Sequence, residues 1–512
     1  MDFLRALWRK ARIFGLNTLN SLVFVLTCGA ITLHEGRYRS WLRLWRNWNG
    51  TICCRPESFK MPETEKDLCD VIRDASRKSL KVRVAGGGHS FNASPATSGL
   101  LLSLDRYNKI LRIDRKARVV RVQAGIRLRD LNIELKRHGL AFPVLGSTDT
   151  QSIGGLLATD LHGTGKTHGF LSEQVLSLRI VDAAGNAEDF PVHSEICRAT
   201  IGALGTCGLV IEAELRCVAA FNLEKSSWLV QHSWIDEHID TILQEYDHVS
   251  FYYIGGIGAE HVRMNVWRRT GRVPSPLLRL RKVLSELFDM AFSGYLLNLS
   301  RGLHRSRFFA GIGFFLFNLV MDSKVSIHPA ATGFARKLFY LHDEIEYGIP
   351  RPHFQECMRE LEGLLYRERL VAIVEVRFTP DTSQALLGPG TSRETCHIEL
   401  APSLTSNPEK IQHIFAQAER IFWRYGGQPH LGKRTPGLNP SQMRNMYGER
   451  FARFQRVRQA QDPKGMFMND FTTQVFGEVM PAAARLPSGK TRVSSPLFAP
   501  AGLTDVGEVN TP

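Results

Sequence analysis

The sequence predicts an α+β protein built in two parts and preceded by a hydrophobic helix. Three observations carry that expectation. Helix-like and strand-like runs alternate over residues 62–215, a mixed unit of strands with covering helices. Residues 223–425 mix strands and helices in a second, less regular region, and residues 13–33 contain no charge. A chain of 512 residues also exceeds one ordinary core, so two packed domains plus extensions are expected.

The uncharged run follows Arg5, Arg9, Lys10 and Arg12, and about 20 apolar residues suffice to span a bilayer. Leu19–Leu33 is its most apolar part, and no clean cleavage site for a secretory signal follows. Residues 1–47 are therefore expected to form a single-pass membrane anchor. Its orientation stays open, because Arg37, Arg39, Arg43 and Arg46 make the second flank basic too.

Residues 62–78 read as a helix, with Pro62 near the start, acids in the first turn and bases at the end. Val82 and Val84 alternate with charged neighbours, as in a half-buried strand. Leu101–Asp105, Val119–Ala124, Leu176–Asp182 and Leu209–Leu215 are further strands, and Leu128–His138 is an amphipathic helix ended by Gly139. This first domain is placed at 48–222. In the second, at 223–425, Val249–Ile254 and Val371–Thr379 read as strands, and Arg279–Phe292 and Ile411–Trp423 as helices. Apolar stretches at 291–299 and 308–321 follow a cluster of arginines, a combination that suits either a core or a membrane surface. Residues 478–512, rich in Pro, Ala, Ser and Thr, read as a disordered tail.

With 43% hydrophobic and 22% charged residues the chain is globular. Its net charge of +15 favours anionic partners. Nucleic acid is the poorest of these, since no zinc-finger or RNA-binding signature accompanies the charge. Nine cysteines, an odd number without a Cys-x-x-Cys pair, argue against a disulfide framework or a zinc site, and no metal is expected.

The most informative stretch is Lys81–Asn92, where the strand runs through Ala85 into Gly86-Gly87-Gly88-His89-Ser90-Phe91. Three glycines bare their backbone N–H groups and allow positive φ, which suits a phosphate. Phe91 stands where the dinucleotide fingerprint would place another glycine. A second loop carries Gly146-Ser147-Thr148, Ser152, Gly154-Gly155, Thr159 and His162-Gly163, and a third carries Gly208 and Val210. Small residues and hydroxyls suit a backbone passing close beneath a pyrophosphate.

In order, spacing and type these three segments, over roughly 48–215, resemble the FAD half of the vanillyl-alcohol oxidase family. The sugar-1,4-lactone and alditol oxidases are the nearest branch. The resemblance implies a two-part FAD-binding domain of the PCMH type and an α+β substrate domain. It also implies a covalent bond from His89 to the flavin, which would make the ring a stronger electron acceptor. Gly146 matches a family position whose small residue admits oxygen, which favours an oxidase.

Glu375-Val376-Arg377 puts two charges on one face of an apolar strand, which calls for an ion pair or a cavity. The branch carries Glu-x-Arg at its substrate site, so Glu375 is expected to hold substrate hydroxyls and Arg377 to offset charge on the reduced flavin. His430-Leu431-Gly432-Lys433 resembles the family's His-Trp-Gly-Lys element, whose Lys reaches flavin and substrate. Asp462–Asn469 resembles the turn by which residues 426–477 return to the FAD domain. The expected activity is oxidation of an aldono-1,4-lactone or polyol by hydride transfer to FAD, with oxygen or another acceptor closing the cycle. Asp160 and Leu431 depart from the branch and look closer to decaprenylphosphoryl-ribose oxidases. A membrane oxidase of a lipid-linked sugar is thus the alternative. A flavin-binding scaffold without turnover is a third reading, opposed by Glu375, Arg377 and Lys433.

Overall fold

Helix Glu65–Arg77 shows how local sequence sets this architecture. Thr64 and Asp67 form a reciprocal capping box, so the helix starts after Pro62 rather than at it. Leu68, Cys69, Ile72 and Ala75 then turn one face into the core. The structure is a computed structural model that describes residues 7–13, 15–16, 18–19, 36–258, 261–274, 325–334 and 341–479. The expected helix at 279–292, the apolar stretches at 291–299 and 308–321, and the tail from 480 onward lie outside the described residues. So does most of the N-terminal apolar run. Among the described residues no helix is long and apolar enough to cross a membrane.

That first helix connects two members of a three-stranded parallel sheet, in which Leu100–Ser103 lies between Ser58–Lys60 and Val82–Ala85. The central strand is buried along its whole length, as its unbroken Leu-Leu-Leu run requires. The neighbouring five-stranded sheet runs in the order Ala187–Pro191, Val175–Val181, Leu209–Arg216, Val119–Gln123, Ile110–Asp114, and every pair is antiparallel. The regular α/β alternation expected for this half therefore holds only for the parallel sheet. The turns after Asp114 and Val181 are too short for a helical crossover, and Arg118 and Gly185 complete them with positive φ.

The second large element is an eight-stranded antiparallel sheet. Its order is Ser326–Pro329, Asn222–Gln231, His261–Thr270, His248–Gly255, Ala372–Thr379, Thr395–Pro402, Ile345–Pro350, Gln428–Pro429. Alternation divides each strand between two faces. Val374, Val376 and Phe378, with Ile345, Tyr347, Ile349, Cys396, Ile398 and Leu400, share one apolar core with helices His232–Glu245, Phe354–Arg367 and Pro408–Arg424. Glu375 and Arg377 therefore fall on the opposite face. Helices Pro440–Tyr447, Glu449–Gln461 and Asp470–Phe476 pack with Ala199, Ala203 and Leu204 in another core.

The end of the described chain locks onto the parallel sheet. The Val82 N–H donates to the Met466 carbonyl at 2.8 Å. The buried Arg83 guanidinium donates to the carbonyls of Ser94 and Leu204 at 2.6 Å each and also to that of Phe467. The Asp462 carboxylate accepts the N–H groups of Met466 and Phe467 at 2.7 Å. These bonds satisfy backbone groups that would otherwise be buried alone.

Candidate active site

The loop leaving strand Val82–Ala85 is pressed against the loop Thr150–Ser152. A Cβ on Gly86 would lie 2.5 Å from Ser152 Oγ, and one on Gly87 would lie 2.8 Å from the Thr150 carbonyl. Of the three glycines only Gly88 has positive φ, so the other two serve close approach rather than conformation. The pair of loops borders two cavities. The larger holds about 1190 Å³ of atom-free space, partly open to solvent. The second, of about 700 Å³, is lined by Ala85, Gly86, Ser152, Gly154, Gly155, Gly208 and Val210 among others. Arg83, Gly86, Ser152, Gly155 and Leu204 line both, so the two cavities adjoin along this loop.

Gly86, Gly87, Gly88, His89, Ser90, Phe91, Ser147, Thr148, Thr159, His162, Glu375, Arg377, His430 and Lys433 all line the larger cavity. Gly146 and Gly163 line neither. A Cβ on Gly146 would meet Leu161 Cδ1 at 2.7 Å, and one on Gly163 the Leu145 carbonyl at 2.5 Å. His89 Nε2 lies 2.6 Å from Thr150 Oγ1, and its ring stacks on Trp48 at 5.6 Å between centroids. The glycine cradle, the hydroxyls beside it and the two adjoining cavities fit a dinucleotide such as FAD.

Opposite the cradle the eight-stranded sheet presents a floor of ionisable side chains. Register puts Glu375, Glu399 and Glu346 side by side on three adjacent strands. The next position on the same face pairs Arg377 with His397. Arg377 bonds Glu375, lies 3.1 Å from Glu399 and 3.9 Å from Glu346. Lys433 bonds Glu344 and lies 3.6 Å from Glu346. His162 Nε2 is 2.7 Å from Glu346 Oε1, and its ring stacks on His397 at 3.7 Å.

Four carboxylates thus share two permanent cations, and the charges sort accordingly. Burial alone would raise Glu344, but Lys433 beside it brings it down to about 2. Glu346 is likewise held low against its burial, by His162 and Lys433. Glu399 goes the other way. Its burial and the nearby Glu344 push it well above the ordinary range, more than Arg377 offsets. Burial lowers His430 to about 3 and His397 well below its usual value, so both rings are neutral. The partners of Lys433 and Arg377 keep both cations charged against the desolvation that opposes it. His162, Glu346 and His430 bring ligand atoms within 4.8 Å of one another. Their charge, however, is already balanced by Lys433 and Arg377, which argues for an ion-pair network rather than a metal centre.

Glu344, Glu346, His397 and Glu399 were missed from sequence. The signal existed: Glu344-Ile345-Glu346 and His397-Ile398-Glu399 repeat the charged-apolar-charged alternation that marked Glu375-Val376-Arg377. The two departures prove to be packing positions. Leu431 is buried in the core around Ala199 and Met443. Asp160 is buried, accepts a bond from Ser383 Oγ at 2.6 Å, and is raised to about 6 by its burial.

Comparison with known proteins places this geometry. The model of the D-arabinono-1,4-lactone oxidase family matches residues 213–475, more than half of the chain. The chain belongs to that family. An FAD-binding domain model matches residues 56–190. L-gulono-1,4-lactone dehydrogenase of Mycobacterium tuberculosis is 29% identical over 437 residues, covering 85% of this chain and 99% of that one. L-gulonolactone oxidase of Mus musculus is 28% identical, covering 84% and 98%. A putative D-arabinono-1,4-lactone oxidase of Neurospora crassa is 27% identical over 500 residues, covering 86% and 87%. The solved cholesterol oxidase of Brevibacterium sterolicum superposes with a TM-score of 0.70 at 15% identity, over 85% of this chain and 97% of that one, a likeness of fold.

Proposed function

We propose that this protein is an FAD-dependent oxidoreductase that oxidises the carbinol of an aldono-1,4-lactone. The observation that carries the reading is the floor of Glu375, Glu399, Arg377 and Lys433 facing the glycine cradle across one groove. A small polyhydroxylated substrate needs such a mixed set of donors and acceptors. Glu375 accepts hydrogen bonds from substrate hydroxyls. Arg377 and Lys433 donate to substrate oxygens and neutralise negative charge that develops nearby. FAD, held by Gly86–Phe91, Ser147, Thr148, Ser152 and Thr159, would supply the hydride acceptor. Residues 48–222 would form the cofactor domain and 223–425 the substrate domain, with 426–477 closing back onto the first.

Three finer assignments go with this reading. His89, ordered by Thr150 and Trp48 in the lining of the larger cavity, bonds the flavin covalently. Oxygen is the acceptor, on the strength of Gly146. The N-terminus associates with a membrane: Leu7, Trp8, Leu16 and Leu19 are exposed on helical residues beside Arg9, Lys10 and Arg12. The lipid-linked alternative is disfavoured, since the D-arabinono-1,4-lactone oxidase model matches residues 213–475 and neither Asp160 nor Leu431 lines the larger cavity.

Anaerobic mixing with a panel of aldonolactones, polyols and polyprenyl-phosphoryl pentoses tests the function. The lactones are expected to bleach the bound flavin, and the Lys433→Ala variant to keep its flavin but bleach roughly 10²-fold more slowly. Bleaching by the polyprenyl compounds alone would overturn the assignment. Flavin fluorescence that stays in the protein band in SDS tests the His89 bond.

A further inference from the structure

The four glutamates on the floor differ in what holds them. Glu344 is paired with Lys433, Glu346 with His162 and Lys433, and Glu375 with Arg377. Among the described residues Glu399 is held only by the second contact of the Arg377 guanidinium, at 3.1 Å. Its side chain is also the most open of the four to the cleft, at 12% against 6% for Glu375, 4% for Glu344 and 1% for Glu346. Two cations facing four carboxyls leave room for a proton, and a carboxyl that trades its proton must reach the substrate.

We propose that Glu399 is the general base that takes the hydroxyl proton of the substrate, while Glu375 remains an ion-paired binding group. This rests on the lactone-oxidoreductase reading above. The substrate O–H and carbinol C–H bonds break and a C=O bond forms. The hydride, with its electron pair, reduces the flavin, and the proton passes to the Glu399 carboxylate, from which it leaves through the open cleft.

The surroundings suit that task. Glu399 is flanked by Glu375 and Arg377 from one neighbouring strand and by Glu344 and Glu346 from the other side. His397 lies on its own strand, and Lys433, His430 and His162 close the cavity above. Apart from Arg377 and Lys433, the nearest charges are other carboxylates. Together with burial they favour the protonated acid, which makes the ionised form a strong base. The sign follows: the base is ready only above its raised pKa, so the rate of flavin reduction rises with pH.

The test uses the flavin-loaded protein and its Glu399→Gln, Glu399→Asp and Glu375→Gln variants. The wild type is expected to show an ascending pH limb in the anaerobic reduction rate. Glu399→Gln should lose that limb and roughly 10²-fold or more of the rate while retaining its flavin, and Glu399→Asp should restore a limb. Glu375→Gln should weaken substrate binding and keep the limb. Infrared spectra without substrate give an independent readout, since the band of a protonated carboxyl at neutral pH should vanish in Glu399→Gln. An unchanged pH limb or an unchanged band in Glu399→Gln would overturn the proposal. A wild type that no lactone bleaches would instead overturn the functional reading beneath it.

Discussion

The two walls of the cleft are made by opposite means. The wall of Gly86–Gly88 is backbone, drawn tight because side chains are missing, and a Cβ at any of the three would meet another atom at 2.4–2.8 Å. The wall opposite is side chains, set out by strand register, and its property is charge shared among Glu344, Glu346, Glu375, Glu399, Arg377 and Lys433. Shape on one side and charge on the other should therefore fail differently. A substitution in the first wall should abolish binding of the cofactor, and one in the second should leave the cofactor and change the chemistry or its pH dependence.

Gly86→Val is expected to have the largest effect. Its Cβ would meet Ser152 Oγ at 2.5 Å, and two further methyls would fill the junction of the two cavities. The strain should cost roughly 1–3 kcal/mol of stability, and the purified protein should be colourless. A yellow Gly86→Val protein would show that the cradle is not where the flavin lies.

The charged wall should instead register in stability against pH. His430, lowered to about 3 from an ordinary 6.5, is neutral when folded. The unfolded chain binds that proton below about pH 6.5, so this residue makes stability fall as pH drops from there toward 3. Glu344, lowered from 4.5 to about 2, adds a loss between those two values. Glu399 acts with the opposite sign, since its raised pKa penalises the folded state as pH rises above the unfolded value of 4.5. His430→Gln should therefore flatten the decline of Tm between pH 6.5 and 3 while sparing flavin retention. An unaltered slope would mean that the ring is solvated rather than buried.

The same contrast explains what the sequence disclosed. The cradle is contiguous, so Gly86-Gly87-Gly88-His89 reads as a unit, and helix Glu65–Arg77 reads from the acids in its first turn and the bases in its last. Glu375 and Arg377 were visible because two charges interrupt one apolar strand. Their partners Glu346 and Glu399 come from strands that sequence alone does not align, and only register reveals that three glutamates lie abreast. The antiparallel character of the five-stranded sheet was hidden for a related reason: alternating helices and strands do not record which strands pair. Asp160 and Leu431 misled because local likeness cannot distinguish a residue facing substrate from one filling a core.

The smallest effect should come from a residue that stands behind the cleft and belongs to neither wall. Gly146 touches neither cavity, but it makes room for Leu161, which does line the larger one. An added methyl would meet Leu161 Cδ1 at 2.7 Å, and that atom is the end of a flexible side chain, so the protein should lose about 1 kcal/mol, the low end of the cost of an inserted methyl. Leu161 would be displaced toward the cleft. Gly146→Ala should then leave anaerobic reduction by lactone nearly unchanged and slow the return of colour with oxygen. The double variant Gly146→Ala with Leu161→Ala should recover the faster reoxidation, because the side chain that transmits the methyl has been removed. Equal slowing in the single and double variants would place the effect at residue 146 itself rather than in its neighbour.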